Sequence, residues 1–175
     1  MVDVAKIWTI PYTDAVHVVR FEYEPLSERR IVYLDNIIIR NSIFKFIEED
    51  VFYINKIKAC LTVKPHGRLG YEFTLTLAGQ PFERFVANWR AVTKCWVTHI
   101  DSHLTRIVLE KDTMDVWVNG EVLETAGEFA DEGTETHFSI RGHACYIKAV
   151  SSGKRREGII HTLFVEGQEL PESME

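Results

Sequence analysis

The chain repeats itself, and that limits its folds more than any other feature does. Val32-Tyr33-Leu34-Asp35-Asn36 aligns with Val116-Trp117-Val118-Asn119-Gly120, 84 residues on. Ala59-Cys60 aligns with Ala144-Cys145 at an offset of 85. Thr74-Leu75-Thr76-Leu77-Ala78-Gly79-Gln80 aligns with Thr162-Leu163-Phe164-Val165-Glu166-Gly167-Gln168, and Lys6-Ile7-Trp8 with Lys94-Cys95-Trp96, both at 88. The order is kept and the offsets drift only slightly, as loop insertions would make them. Two compact cores, one in each half, are therefore physically possible. A unit of this size can hold one, since even a domain of about 60 residues buries roughly 60% of its unfolded surface.

The copies read as strands. Arg106-Ile107-Val108-Leu109-Glu110 and Met114-Asp115-Val116-Trp117-Val118 are short, rich in β-branched and aromatic residues, and bounded by turn residues. Asn119-Gly120 supplies the left-handed backbone of a type I′ hairpin turn, and Asp35-Asn36 holds the same place in copy one. Ala78-Gly79 and Glu166-Gly167 end a later hairpin in the same way. One stretch departs from this pattern. Phe82, Phe85, Val86, Trp89 and Val92 fall at helical spacing behind Pro81, which predicts a short amphipathic helix over 81–92. The expected architecture is all-β. It comprises two tandem antiparallel β-sandwich domains, 1–92 and 93–175, from an internal duplication, with a short linking helix and a boundary near 91–94.

Charge narrows the partners. Residues 1–92 carry 12 Lys and Arg against 11 Asp and Glu; residues 93–175 carry 8 against 15, a net −7. Nucleic-acid binding, which needs a clustered basic footprint, is not expected. No secretory leader precedes Trp8, no apolar run reaches the roughly 20 residues of a membrane helix, and no asparagine opens a glycosylation sequon. The three cysteines, Cys60, Cys95 and Cys145, have no C-x-x-C spacing. Together these features predict a reduced cytoplasmic protein bound to no membrane.

Motifs for chemistry are incomplete. His99 and His103 have the i, i+4 spacing of paired helix ligands, but they flank Ile100-Asp101-Ser102, a turn between strands. His137, His143 and His161 lie in strand-like stretches and converge only through the fold. The acidic stretch 121–135 lacks the ordered spacing of a calcium loop and reads as a solvated loop face. Gly153-Lys154 fails as a phosphate loop, because Arg155 and Lys148 stand where a Ser or Thr and a glycine are required. Cys60 and Cys145 read as small hydrophobes, and Trp8, Trp96 and Trp117 as core anchors. No catalytic, cofactor or metal residues are expected. The candidate interaction loop is Ser151, Ser152, Gly153, Lys154, Arg155 and Arg156, basic and glycine-bearing. Lys64-Pro65-His66-Gly67-Arg68-Leu69-Gly70 stands at the equivalent place in copy one.

The stretches RIVLEKD (106–112), DVWVNGEVLETAGEF (115–129), DEGTETHFSI (131–140) and CYIKAVSSGKRREGIIHTL (145–163) resemble the Fas apoptotic inhibitory molecule family. Copy one agrees more loosely, through Ile31-Val32-Tyr33-Leu34-Asp35, Phe52-Tyr53-Ile54 and Tyr71-Glu72-Phe73-Thr74-Leu75. It departs at its first hairpin, where Asn36 stands for the family's glycine. The resemblance implies antiparallel β-sandwiches, no active site, and a cytosolic regulator that restrains death-receptor (Fas)-induced apoptosis through protein partners. It also implies protection against aggregation, that is, a holdase-like protein binding misfolded clients through exposed edge strands, unless charges such as Lys148 blunt those edges. The chain opens directly on the first copy, so contacts attributed to the N-terminal extension of the family's longer form are not expected here.

Overall fold

The structure is a computed structural model that describes residues 3–24, 26–43 and 48–174. Seventeen strands and one helix follow one another in it. The first sheet joins β1 (Asp3–Pro11), β2 (Val16–Glu24), β3 (Arg29–Leu34) and β4 (Ile37–Ile43) in sequence order. The second joins β5 (Glu48–Ile54), β6 (Ile57–His66), β7 (Gly70–Leu77) and β8 (Gln80–Pro81). After α1 (Phe82–Val92), the third sheet orders β9 (Thr93–Ile100), β10 (His103–Glu110), β11 (Asp115–Val118) and β12 (Glu121–Val122). The fourth is β13 (Ala126–Ala130), β14 (Gly133–Ile140), β15 (His143–Ser151), β16 (Ile159–Val165) and β17 (Gln168–Leu170). All four are antiparallel meanders, as the short turns between strands dictate. The expected all-β class and the linking helix are both present.

Contacts gather the chain into two compact units. One comprises Met1–Tyr12 and Val16–Trp89, the other Thr13–Ala15 and Arg90–Glu175. Each unit closes two sheets over one core. In the first, Trp8, Ile10, Val19, Phe21 and Val32 meet Ile54, Ala59, Leu61, Leu75 and Leu77. In the second, Trp96, Ile107, Leu109 and Val116 meet Phe138, Ile140, Cys145, Ile147 and Leu163. The alternation of strand side chains decides which residues these are.

The turns show why the repeated motif persists. Asp35 and Asn36 have φ of 50° and 66°, and Asn119 and Gly120 have 48° and 86°. Asn36 in place of glycine therefore keeps the left-handed turn. In each copy the first turn residue also bonds the neighbouring strand of the sheet, β2 in the first and β10 in the second. Asp35 Oδ1 accepts the Val18 amide at 2.8 Å, and Asn119 Oδ1 accepts the Arg106 amide at 2.9 Å. The backbone N–H of each returns a bond of 2.9 Å to the same partner's carbonyl.

Three sequence expectations need correction. Ala59-Cys60 does not superpose on Ala144-Cys145. The buried residues are Ala59, Leu61 and Ile54 in one unit and Cys145, Ile147 and Ile140 in the other, an offset of 86. A slip of one residue exchanges the two faces of a strand, so Cys60 stands at the position of Tyr146 and the two cysteines are not equivalent. Trp8 and Trp96 are core residues, 2% and 1% exposed, but Trp117 is not; its neighbour Val116 takes the core position. Nor does Lys148 guard an edge, since β15 lies in the middle of its sheet.

The helix follows its pattern. Phe82 and Phe85 pack on the first core, Val86 is buried, and the Trp89 ring lies 5.5 Å from that of Tyr12. Glu83 in the first turn and Arg90 in the last suit the helix dipole. Pro81 stands one residue before the helix, in β8.

Within the first unit an ion pair joins the sheets. Arg30 on β3 and Asp50 on β5, each 3% exposed, meet at 3.1 Å, and Arg40 on β4 adds a contact of 2.9 Å to Asp50. Counting by the offsets above, Met114 and Thr136 stand at those places in the second unit. There a cavity of about 390 Å³ opens, lined by both residues with Gly127, Glu128, Phe129 and Glu135.

Two glycines of the β13–β14 hairpin give a paired test of this packing. A Cβ on Gly133 would collide with the backbone carbonyl of Ala149, whereas one on Gly127 meets nothing within 4 Å. Gly133→Ala is expected to lower stability by about 1–3 kcal/mol. Gly127→Ala should leave stability unchanged within about 0.5 kcal/mol or raise it slightly. Urea denaturation of the two variants beside the parent checks both.

Candidate functional site

The basic loop forms the reversal between β15 and β16. Its backbone closes on itself: Ser152 N–H donates to the Gly158 carbonyl at 3.0 Å and Gly158 N–H to the Lys154 carbonyl at 3.1 Å. Ser151 Oγ accepts from the Gly153 amide and Ser152 Oγ from the Lys154 amide, so both serines shape the loop. Gly153 and Gly158 take φ of 71° and 61°, which few other residues adopt. Lys154 is held by Glu157 at 3.1 Å. Arg155 and Arg156 are exposed beside it. The loop is thus an ordered platform for two guanidinium groups, a geometry suited to bidentate contact with carboxylates. In copy one the corresponding reversal is shorter, turning at Gly67 between β6 and β7, with Leu69 99% exposed.

The histidines separate into distinct settings. His99 and His103 stand on opposite strands of the β9–β10 hairpin, whose turn is Asp101-Ser102. The pair is a polar turn, as its sequence suggests. His161 is buried; desolvation, with Lys94 and Lys111 nearby, pushes its pKa down. His143 bridges two hairpin turns: its Nε2 lies 2.9 Å from Asp101 Oδ1, and its Nδ1 3.3 Å from Glu166 Oε1. Glu166 also accepts the Ala144 amide at 3.0 Å. The turns belong to the two facing sheets of the second unit, so the imidazole clasps the open end of that sandwich. A shallow cavity of about 280 Å³ lies there, lined by His99, Asp101, His143, Glu166 and Leu170.

The acidic stretch is not the solvated loop that its composition suggests. Its C-terminal part is the β13–β14 hairpin, in which Glu128 stands directly opposite Glu135. His137, two residues beyond Glu135 on the same face, places Nε2 at 3.0 Å from Glu135 and 3.7 Å from Glu128. The Tyr146 ring stacks 5.3 Å from the imidazole, and Phe164 stacks 4.7 Å from Tyr146. Sequence reasoning missed this group because its members come from two strands. The signal was the like-charged pair either side of the turn at Asp131-Glu132.

Burial works against a reactive thiolate at Cys145. Cys145 is 2% exposed, and burial pushes its thiol pKa up to about 11. Cys95 is buried and Cys60 half-buried. Among the described residues no helix is long and apolar enough to cross a membrane.

The His143 clasp has a testable pH dependence. The hydrogen bond that His143 donates to Asp101, followed by the charges of Asp101 and Glu166, raises the pKa above 6.5. The folded state therefore favours the imidazolium. Its contribution is complete below the unfolded value of 6.5 and is lost as pH rises through the higher folded-state value. Thermal unfolding of the parent and His143→Gln should differ at about pH 5.5 and converge by about pH 8.5.

Comparison with known proteins covers almost the whole chain. Residues 4–173 match the family model described as Fas apoptotic inhibitory molecule (FAIM1). Over 176 residues the chain is 47% identical to Fas apoptotic inhibitory molecule 1 of Rattus norvegicus, covering 98% of this chain and 88% of the relative. It is also 47% identical to the protein of that name from Homo sapiens, covering 98% of each. The Bos taurus relative is 45% identical over 179 residues, covering 100% of this chain and 89% of its own. Such identity along both copies is more than a shared architecture, and the chain belongs to the Fas apoptotic inhibitory molecule family.

Proposed function

We propose that the protein restrains Fas-triggered apoptosis from the cytoplasm, by contact with protein components of death-receptor signalling and without catalysis. The observation that carries this reading is family membership along the whole chain: the relatives are named for inhibiting apoptosis. The ordered loop 151–158 supports a contact mechanism, because it offers Arg155 and Arg156 on a shaped backbone rather than a cleft with a nucleophile. The acidic balance of the second half would set this loop apart as a local basic point in a repelling field. In cells challenged with Fas ligand, expression of the parent chain is expected to lower caspase activation. Arg155→Glu with Arg156→Glu should abolish most of that protection while leaving the melting temperature unchanged. Equal protection by parent and variant would assign the contact to another surface; no protection by the parent would overturn the reading.

A second reading rests on a different observation. β4 is an edge strand, and it exposes Ile37, Ile38 and Ile43 by 69%, 52% and 68%. An edge of unpaired backbone groups flanked by apolar side chains can accept a strand of a misfolded client. The −7 half would then keep such a complex soluble by repulsion. In light-scattering assays of an aggregating client, an equimolar amount of the protein should slow aggregation, and Ile38→Lys should remove the effect. No more delay than an inert protein of similar charge gives would leave only the adaptor reading.

A further inference from the structure

We propose that Glu128, Glu135 and His137 bind a divalent transition-metal ion of the zinc class on the outer face of the β13–β14 hairpin. The donor atoms, one from each residue, lie within 4.8 Å of one another. A tetrahedral zinc with bonds of about 2.0–2.1 Å needs its ligand atoms roughly 3.4 Å apart. The distances of 3.0 and 3.7 Å from the imidazole nitrogen to the two carboxylates bracket that value. Small rotations of the exposed Glu128 side chain and the half-buried Glu135 side chain therefore complete the set, with no backbone shift.

Three features point the same way. Glu128 and Glu135 are directly opposed across the hairpin, where like charges destabilise a strand pair unless a cation lies between them. The ring of His137 is held from the side by Tyr146, which fixes its plane before any ion arrives. The site also stands open to solvent, with the Glu128 side chain 70% exposed, so an ion held by three protein ligands keeps an open position for water or a small anion. The imidazole decides the class of metal. Calcium and magnesium take oxygen donors, whereas a mixed nitrogen and carboxylate set suits zinc and its neighbours. The competing cation is Lys148, which pairs across from Glu135 on β15, but its Nζ sits 3.7 Å from Glu132. Nothing in the site depends on the apoptotic reading.

The test is titration of the metal-stripped full chain with Zn²⁺ by calorimetry, repeated with Glu128→Gln and His137→Gln. One equivalent is expected to bind, and each substitution should weaken binding about tenfold or more. Glu128 is 70% exposed at its side chain, so its variant should melt with the metal-free parent. Substitution by Co²⁺ should give visible absorption without a thiolate charge-transfer band. Failure of the parent to bind, or binding that survives both substitutions and is lost in Cys60→Ser, would overturn the proposal.

Discussion

Everything in this molecule hangs on the left-handed pairs of residues at which its strands reverse. At Asp35-Asn36, Asn119-Gly120, Asp101-Ser102, Ala78-Gly79, Arg141-Gly142 and Glu166-Gly167 both turn residues have positive φ, the twist that matches two adjoining antiparallel strands. A two-residue reversal fixes the register of the residues next to it, and among these pairs only β3–β4 departs from it, through a shift between Val32 and Tyr33. The side chains of Asp35 and Asn119 reinforce this by tying each turn to the adjacent strand of its sheet, β2 or β10. Register then selects the core, since only alternate residues can face the opposite sheet.

The same rule explains what could be read in the sequence. Strand content, the duplication and the helix were legible because each is a local pattern. The Asn119-Gly120 turn was legible because its chemistry is local too. The offset at Cys60 was misjudged because matching letters is a weaker guide than matching faces, and Ala-Cys recurs one residue out of step. Trp117 misled for a related reason: size favours a core position, but parity assigned it to Val116. The groups around His137 and His143 lay beyond sequence reasoning altogether. The first needs two strands in register, the second two turns from separate sheets brought end to end.

The two copies have used one scaffold differently. Where the first joins its sheets with the buried Arg30–Asp50 pair, the corresponding residues of the second, Met114 and Thr136, line a cavity. A buried pair is costly to desolvate, and breaking one partner is costlier still. That ties the first copy to its present interior. In the second copy these places carry no ion pair, and Glu128, Glu135 and His137 gather on its hairpin beside Tyr146.

The meander order of all four sheets bears on how the chain is made. Within each sheet every strand pairs with the next to leave the ribosome, so the sheet can assemble from contacts close in sequence, without waiting for a distant segment. Closure of the two sheets over the core is then the first step with a large loop entropy. Because the first unit is nearly all N-terminal to α1, its two sheets are complete before most of the second copy has been synthesised. A duplicated sequence courts pairing between equivalent strands of its two halves, and vectorial synthesis, with N-terminal folding first, protects against that error.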